Sequence, residues 1–365
     1  DAVRAAPRAL SSLPGTRSGV PYTPTYPHPL NMLPELAALE KILDLGAPHL
    51  EVQVVQQVSV ASGPQLPIYA IGLGNPALDV PAVGFFGGVH GLERIGTEVV
   101  LAFLASLVQR MAWDHTLHQQ LQTMRMVFMP LVNPGGMLRG TRANPAGVDL
   151  MRNAPIDALE PVPAWVGGQR VSAKLPWYRG ARSAPMQPEA QALCDVVESE
   201  LTHRAFSISI DCHSGFVVRD RLWFPYVHTR QPITHLAEMY VLQRMYRQSY
   251  SHHPYVFEPQ SLQYLTHGDL WDHLHTRLED PARQVFLPLT LELGSWLWIK
   301  KNPRQLFSRY GIFNPLIGHR QERVLRRHMA LLDFVSRAAC SAPSWLPQGS
   351  YRHAMHAEAL QRWYE

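Results

Sequence analysis

Four apolar stretches of the chain stop in the same manner, on glycines and polar side chains, and this limits the possible folds more than any other feature of its 365 residues. They are VPAVGFFGGVHG at 80–91, RMVFMPLVNPGG at 125–136, AFSISIDCHSG at 205–215 and QVFLPLTLELG at 284–294. A short apolar run closed by turn residues reads as a buried strand. Between and beyond these runs, apolar residues recur with helical spacing at 34–46, 95–109, 188–203, 232–250, 269–279 and 316–338. EVQVVQQVSV at 51–60 alternates as a strand with one polar face, and LPIYAIGLG at 66–74 reads as its hairpin partner. Strands alternating with helices predict an α/β fold, a central mixed β-sheet flanked by helices on both faces. No linker divides the chain. A single catalytic domain is expected over 34–365, preceded by an irregular Pro-, Ser- and Thr-rich arm over 1–33, and the stretch 134–187 reads as irregular.

Composition narrows the partners. The net charge is only +4, and no Lys/Arg run with interleaved aromatics suggests a nucleic-acid footprint. Cys194, Cys212 and Cys340 are too few and too scattered for a disulfide framework, so a reducing, cytoplasmic setting is expected. No apolar run approaches the roughly 18 residues that span a bilayer, and no membrane span is expected.

In open α/β sheets, ligands sit at the carboxyl ends of strands, so the ends of the four runs are where chemistry is sought. His90 and Glu93 stand three apart in a glycine-rich turn and can point to one spot. In 206–213 the period of two puts Ser207, Ser209, Asp211 and His213 on one face of the strand and Phe206, Ile208, Ile210 and Cys212 on the other. His213 is either a hydrogen-bonded core imidazole or a third ligand. Two His and one Glu with an open fourth position form a known catalytic zinc set. Glu292 sits between two leucines, where an unpaired carboxylate is costly unless it faces a polar site or a cation. Arg142, Asp149 and Arg152 lie in irregular backbone, and Arg139 reads as a solvated loop residue. His267, Asp272, His273 and His275 offer another cluster, but on a helix they read as solvated surface rather than as a second metal site.

Taken in order, these residues resemble the zinc carboxypeptidase family, often labelled M14. Its pattern appears as His90-Gly-Leu-Glu93, Asn133-Pro-Gly-Gly136, Arg142 ahead of Gly147-Val-Asp-Leu-Met-Arg-Asn153, His213, and Thr290-Leu-Glu-Leu293. The resemblance implies one zinc ion per chain, bound by His90, Glu93 and His213, with Asp149 orienting the first imidazole. It implies Glu292 as general base, Arg142 as the group polarising the scissile carbonyl and Arg152 as the clamp on a substrate carboxylate. It matches Tyr264 to a substrate-capping tyrosine and Trp271 to the floor of a side-chain pocket. The expected substrate is a peptide, a cell-wall peptide or an acyl-amino acid with a free carboxylate.

Three departures bear on this, one being the bulky indole of Trp271, which would restrict or reshape the side-chain pocket. Met151 stands where the family pattern has an Asn beside the clamp arginine, and Gly135 replaces an Asp in the turn. The Met151 departure leaves room for a zinc-dependent deacylase of N-acyl amino acids. A non-catalytic binding protein is the reading from another class, and retention of Glu292 and Arg142 beside all three ligands weighs against it.

Overall fold

The computed structural model describes residues 33–60, 63, 65–215 and 217–365, so the arm expected over 1–33 lies outside the described residues except for Leu33. The strands are β1 (Glu51–Ser59), β2 (Gln65–Gly74), β3 (Ala82–Gly87), β4 (Arg125–Met129), β5 (Phe206–Gly215), β6 (Arg221–Phe224), β7 (Val256–Pro259) and β8 (Val285–Gly294). They form one eight-stranded sheet in the order β1-β2-β4-β3-β5-β8-β6-β7. The four central strands, β4, β3, β5 and β8, run parallel, while β2 joins β4 and β6 joins β8 antiparallel. The mixed sheet anticipated from the sequence is therefore present, with its parallel part at the centre. β1 and β2 make the expected antiparallel pair, with a register shift between Val54 and Gln56.

The helices are α1 (Pro34–Gly46), α2 (Arg94–Arg110), α3 (His115–Gln122), α4 (Pro134–Arg139), α5 (Pro188–Val197) and α6 (Leu236–Ser249). They continue with α7 (Leu270–Thr276), α8 (Trp296–Lys301), α9 (Gly318–Cys340), α10 (Ala342–Trp345) and α11 (Gly349–Trp363). Alternation along the strands divides the core. Val83, Phe85, Ile208, Ile210, Leu289 and Leu291 face one side, in a cluster with residues of α1, α2, α6 and α9. Ala82, Phe86 and Phe286 face the other, packed with Leu193 of α5 and Leu270, Trp271 and Leu274 of α7. Successive residues of a strand must point to opposite faces, so helices are needed on both to cover so apolar a centre.

The stretch 134–187 is less irregular than expected. α4 starts it, a single 3-10 turn spans Leu150–Arg152, and Asn144 closes the intervening loop by accepting from the amides of Ala146 and Val148. β6 and β7 have only four residues each, too few to show a period, and α11 was not anticipated.

Candidate metal centre

β3, β5 and β8 run in one direction, so their carboxyl ends meet at one edge of the sheet. The turn after β3 carries His90 and Glu93. It is held from beneath by the loop after β4: Val132 and Asn133 donate their amides to the carbonyls of Gly87 and Gly88 at 3.1 and 2.9 Å. Gly88 has φ +65°, a left-handed conformation that glycine adopts without penalty. At Gly91 a Cβ would run into the backbone of Gly136 and Met137, so α4 can press against the turn only because this residue has no side chain. From far along the chain, Asn314 donates to the Leu92 carbonyl (2.8 Å) and accepts from the Ile95 amide (2.9 Å), pinning both sides of Glu93.

His213 enters from β5. In the β5–β8 ladder it lies directly opposite Glu292, and both point to the same side of the sheet. One ligand atom from each of His90, Glu93 and His213 lies within 4.8 Å of the others, and all three residues are buried. Each imidazole has a carboxylate near its other nitrogen, within hydrogen-bond distance for His213 only. His213 donates from Nε2 to Oδ2 of Asp211 at 2.7 Å, and that oxygen also accepts from the Trp271 indole at 3.0 Å. His90 has Nδ1 3.7 Å from Oδ1 of Asp149. Its Nε2 lies 2.7 Å from Nη2 of Arg142; a guanidinium can only donate, so Nε2 carries the lone pair.

The remaining geometry reveals what the donors require. His213 Nδ1 faces Glu93 Oε2 at 3.0 Å, and the same oxygen accepts from the Ser214 amide at 3.0 Å. With Nε2–H committed to Asp211, a neutral His213 sets one lone pair against another, which only a shared cation or proton reconciles. Burial pulls the His213 pKa down, but Asp211 and Glu93 outweigh it and hold the imidazole well above its ordinary value. Glu93 is pushed up by burial and pulled back by His90, His213 and Arg142 to about 2. Burial, seconded by Arg142, lowers His90 to about 3. A neutral imidazole, an ionised carboxylate and a second imidazole aimed at one point are the donors that suit zinc, and carboxylate-backed histidines are its usual setting.

Arg142 supplies the positive charge on the other side. It donates Nε to Oδ2 of Asp149 at 2.8 Å and Nη1 to Oε1 of Glu93 at 3.2 Å. Burial opposes its charge, but Asp149 and Glu93 raise its pKa well above the ordinary value. Asp149 is also pushed up by burial, and Arg142 and His90 bring it far below the usual carboxylate range. Glu292 behaves in the opposite sense: removal from water and the nearby Glu93 charge raise it to about 8. A Cβ on Gly215 would collide with Oε1 of Glu292, so this glycine makes room for the carboxylate.

Among the residues singled out from the sequence, His90, Glu93, His213, Arg142, Asp149 and Glu292 form one cluster. Arg152 is buried beside it and bears electrostatically on Asp149. Its Nε and Nη1 donate to the carbonyls of Val166 and Met151 at 3.2 and 3.0 Å, which leaves Nη2 without a partner and no carboxylate within ion-pair distance among the described residues. Tyr264 is half-buried, stacks edge-on against Trp223 at 6.3 Å and bears electrostatically on Arg142.

Trp271 differs from its expected place. It is 2% exposed and lies beneath His213, edge-on to Phe86, with its N–H on Asp211, so it does not form an open pocket floor. The helix cluster is also corrected. Asp272 and His275 are buried, not solvated: Asp272 accepts from the amides of Val227 and His228 and from the His228 ring, and His275 bonds Tyr226 and His235. Asp211 went unassigned from the sequence, although alternation had already placed it on the face of His213.

The sequence pattern of the zinc carboxypeptidase (peptidase M14) family matches residues 53–285, and the chain belongs to that family. It is 24% identical over 175 residues to carboxypeptidase D of Anas platyrhynchos, an alignment covering 44% of this chain and 11% of that protein. The chain thus spans about a tenth of the length of that relative. Its fold is similar to thrombin activatable fibrinolysis inhibitor (TM-score 0.61, 18% identity, 83% of this chain and 72% of that one). It is similar also to carboxypeptidase A from Helicoverpa armigera (TM-score 0.60, 16% identity, 83% and 72%). The bovine thrombin-activatable fibrinolysis inhibitor, solved with a tick carboxypeptidase inhibitor, gives a TM-score of 0.57 at 19% identity over 84% and 94%.

Proposed function

We propose that this protein is a zinc-dependent carboxypeptidase that hydrolyses the last amide bond of a peptide or cell-wall peptide, with one ion held by His90, Glu93 and His213. The convergence of these three residues beside the Glu292 carboxylate is the observation that carries the reading. Bound there, zinc supplies Lewis acidity toward the scissile carbonyl and its attacking water.

The chain's own groups account for the rest. Glu292 takes a proton from the attacking water at a carboxylate oxygen and returns it to the departing amine. Its raised pKa suits a group that must both accept and release a proton near neutrality, and the part owed to Glu93 is offset by any cation among the ligands. Arg142, fixed by Asp149, presents a permanent charge to the developing oxyanion. Arg152 offers Nη2 to the substrate carboxylate, and Tyr264 stands at the side of Arg142 to cover the bound residue.

Met151 is buried and offers no donor, and Arg152 spends two of its donor nitrogens on backbone carbonyls. A single partnered contact to the carboxylate is therefore weaker than a complete pair, and this favours an N-acyl amino acid deacylase as the second reading. Comparing a peptide with a free C-terminus, its C-terminal amide and an N-acyl amino acid decides. A strong preference for the free-acid peptide supports the carboxypeptidase reading; equal kcat/KM for acid and amide removes it.

A further inference from the structure

The segment that follows β8 carries an unusual surface. Between Glu292 and Glu322 there are five Lys or Arg residues and no Asp or Glu, in a chain whose net charge is only +4. Lys300, Lys301, Arg304 and Arg309 are exposed, and none has a carboxylate of a described residue within ion-pair distance. Leu306 and Phe307 stand between them, flanked by Leu297 and Tyr310, all exposed; Phe307 is 94% exposed. Large apolar side chains left this bare usually mark a contact surface.

The backbone beneath is not loose. Trp298 and Ile299 are buried and anchor α8, while the Gln305 amide, itself buried, ties the carbonyls of Gly311 and Asn314 at 2.9 and 3.0 Å. The inner residues fix the segment, while Leu306 and Phe307 stay on its outer, exposed side. The segment is fastened to the metal centre at two points. Asn314 binds Leu92 and Ile95, and the Tyr310 ring lies against Gly140, two residues from Arg142, with the Arg94 guanidinium 5.2 Å from its centroid.

We propose that residues 297–310 form a docking patch for an anionic lipid surface, which brings the mouth of the metal centre against the bilayer. Aromatic and aliphatic side chains that enter the headgroup region, interleaved with unpaired Lys and Arg, are the chemistry that such a surface selects. A second copy of this chain would meet like charge across the contact. The proposed attachment is through this surface patch; among the described residues no single helix is long and apolar enough to cross a membrane.

The test uses the full chain with vesicles of phosphatidylcholine alone and vesicles in which phosphatidylglycerol replaces a third of it, read by co-sedimentation at low and at raised salt. The protein should bind the anionic vesicles, less so as salt rises. F307E, at a side chain 94% exposed, should weaken binding about tenfold or more. K300E and K301E should each weaken it roughly fivefold or more. Hydrolysis of a soluble substrate should be unchanged in all three. Failure of the wild type to bind anionic vesicles overturns the proposal. So does loss in the lysine variants with F307E unaffected, which leaves only a general affinity for polyanions. A dimer in sedimentation velocity that F307E dissolves would assign the patch to a second copy and overturn it equally.

Discussion

His213 and Glu292 are direct partners across the parallel β5–β8 ladder, so a proposed metal ligand and the proposed base are set side by side by backbone hydrogen bonds. A shift of one residue in this register would turn Glu292 into the apolar face now filled by Leu289, Leu291 and Leu293. The relation is thereby protected by the core itself.

Glu292→Gln keeps the shape of the side chain and removes its basicity. The variant should fold, retain zinc by elemental analysis and lose turnover by about 10²–10⁴-fold. Loss of the metal together with activity would instead make Glu292 a ligand.

Asp211→Asn tests how firmly His213 is held. Outer carboxylates of this kind typically account for about 10–100-fold in metal affinity. Competition against a chromophoric chelator should show weaker zinc binding in the variant, and Trp271→Phe, which removes the donor to Asp211 together with part of a buried ring, should show the same effect more mildly. Unchanged affinity in both would mean that the Asp211 contact does nothing for the metal.

Gly215→Ala places a methyl group where the Glu292 carboxylate now lies. Because that neighbour is the end of a side chain, the fold should survive while the base moves. A displacement of about 1 Å at a reacting group costs on the order of 10² in rate. Turnover should therefore fall with little change in Tm or zinc content.

His275 and His328 make stability depend on acidity. Burial and the adjacent His235 hold His275 down to about 3; burial, with Arg327 and His253, holds His328 to about 4 against the pull of Asp220. An unfolded chain takes up these protons near pH 6.5 while the folded one does not, so the unfolded state binds more protons between those limits. Stability from these groups is complete above about pH 6.5 and is lost as pH falls toward 4 and then 3, by at most about 1.4 kcal/mol per pH unit for each. Urea midpoints at successive pH values should fall over this window, and His328→Gln should flatten the slope. An unaltered slope in that variant would show that His328 is already charged in the fold.

Most of the site could be read from the sequence because it lies where strands end. Alternation in SISIDCH placed Asp211 with His213, and apolar runs located His90, Glu93 and Glu292 on turns and strand ends without knowledge of the pairing. The partners of Asp211 could not be read, since Trp271 arrives from a helix sixty residues away. Nor could the burial of Asp272, which depends on two backbone amides from another segment. α11 had a usable signal: Met355, Ala359 and Trp363 recur every four residues and are its buried positions. β6 had none, because four residues gain their strand form only by pairing with β8 and β7.

The Asn314 contacts with Leu92 and Ile95 join positions more than two hundred residues apart. A ribosome delivers the His90 turn long before it delivers Asn314, so the growing chain has the first two proposed ligands in hand while the brace that steadies them is still unmade. On the proposed ligand set, metal capture with full affinity is consequently a late event in the life of the polypeptide, tied to arrival of its last third and not to the appearance of the ligands.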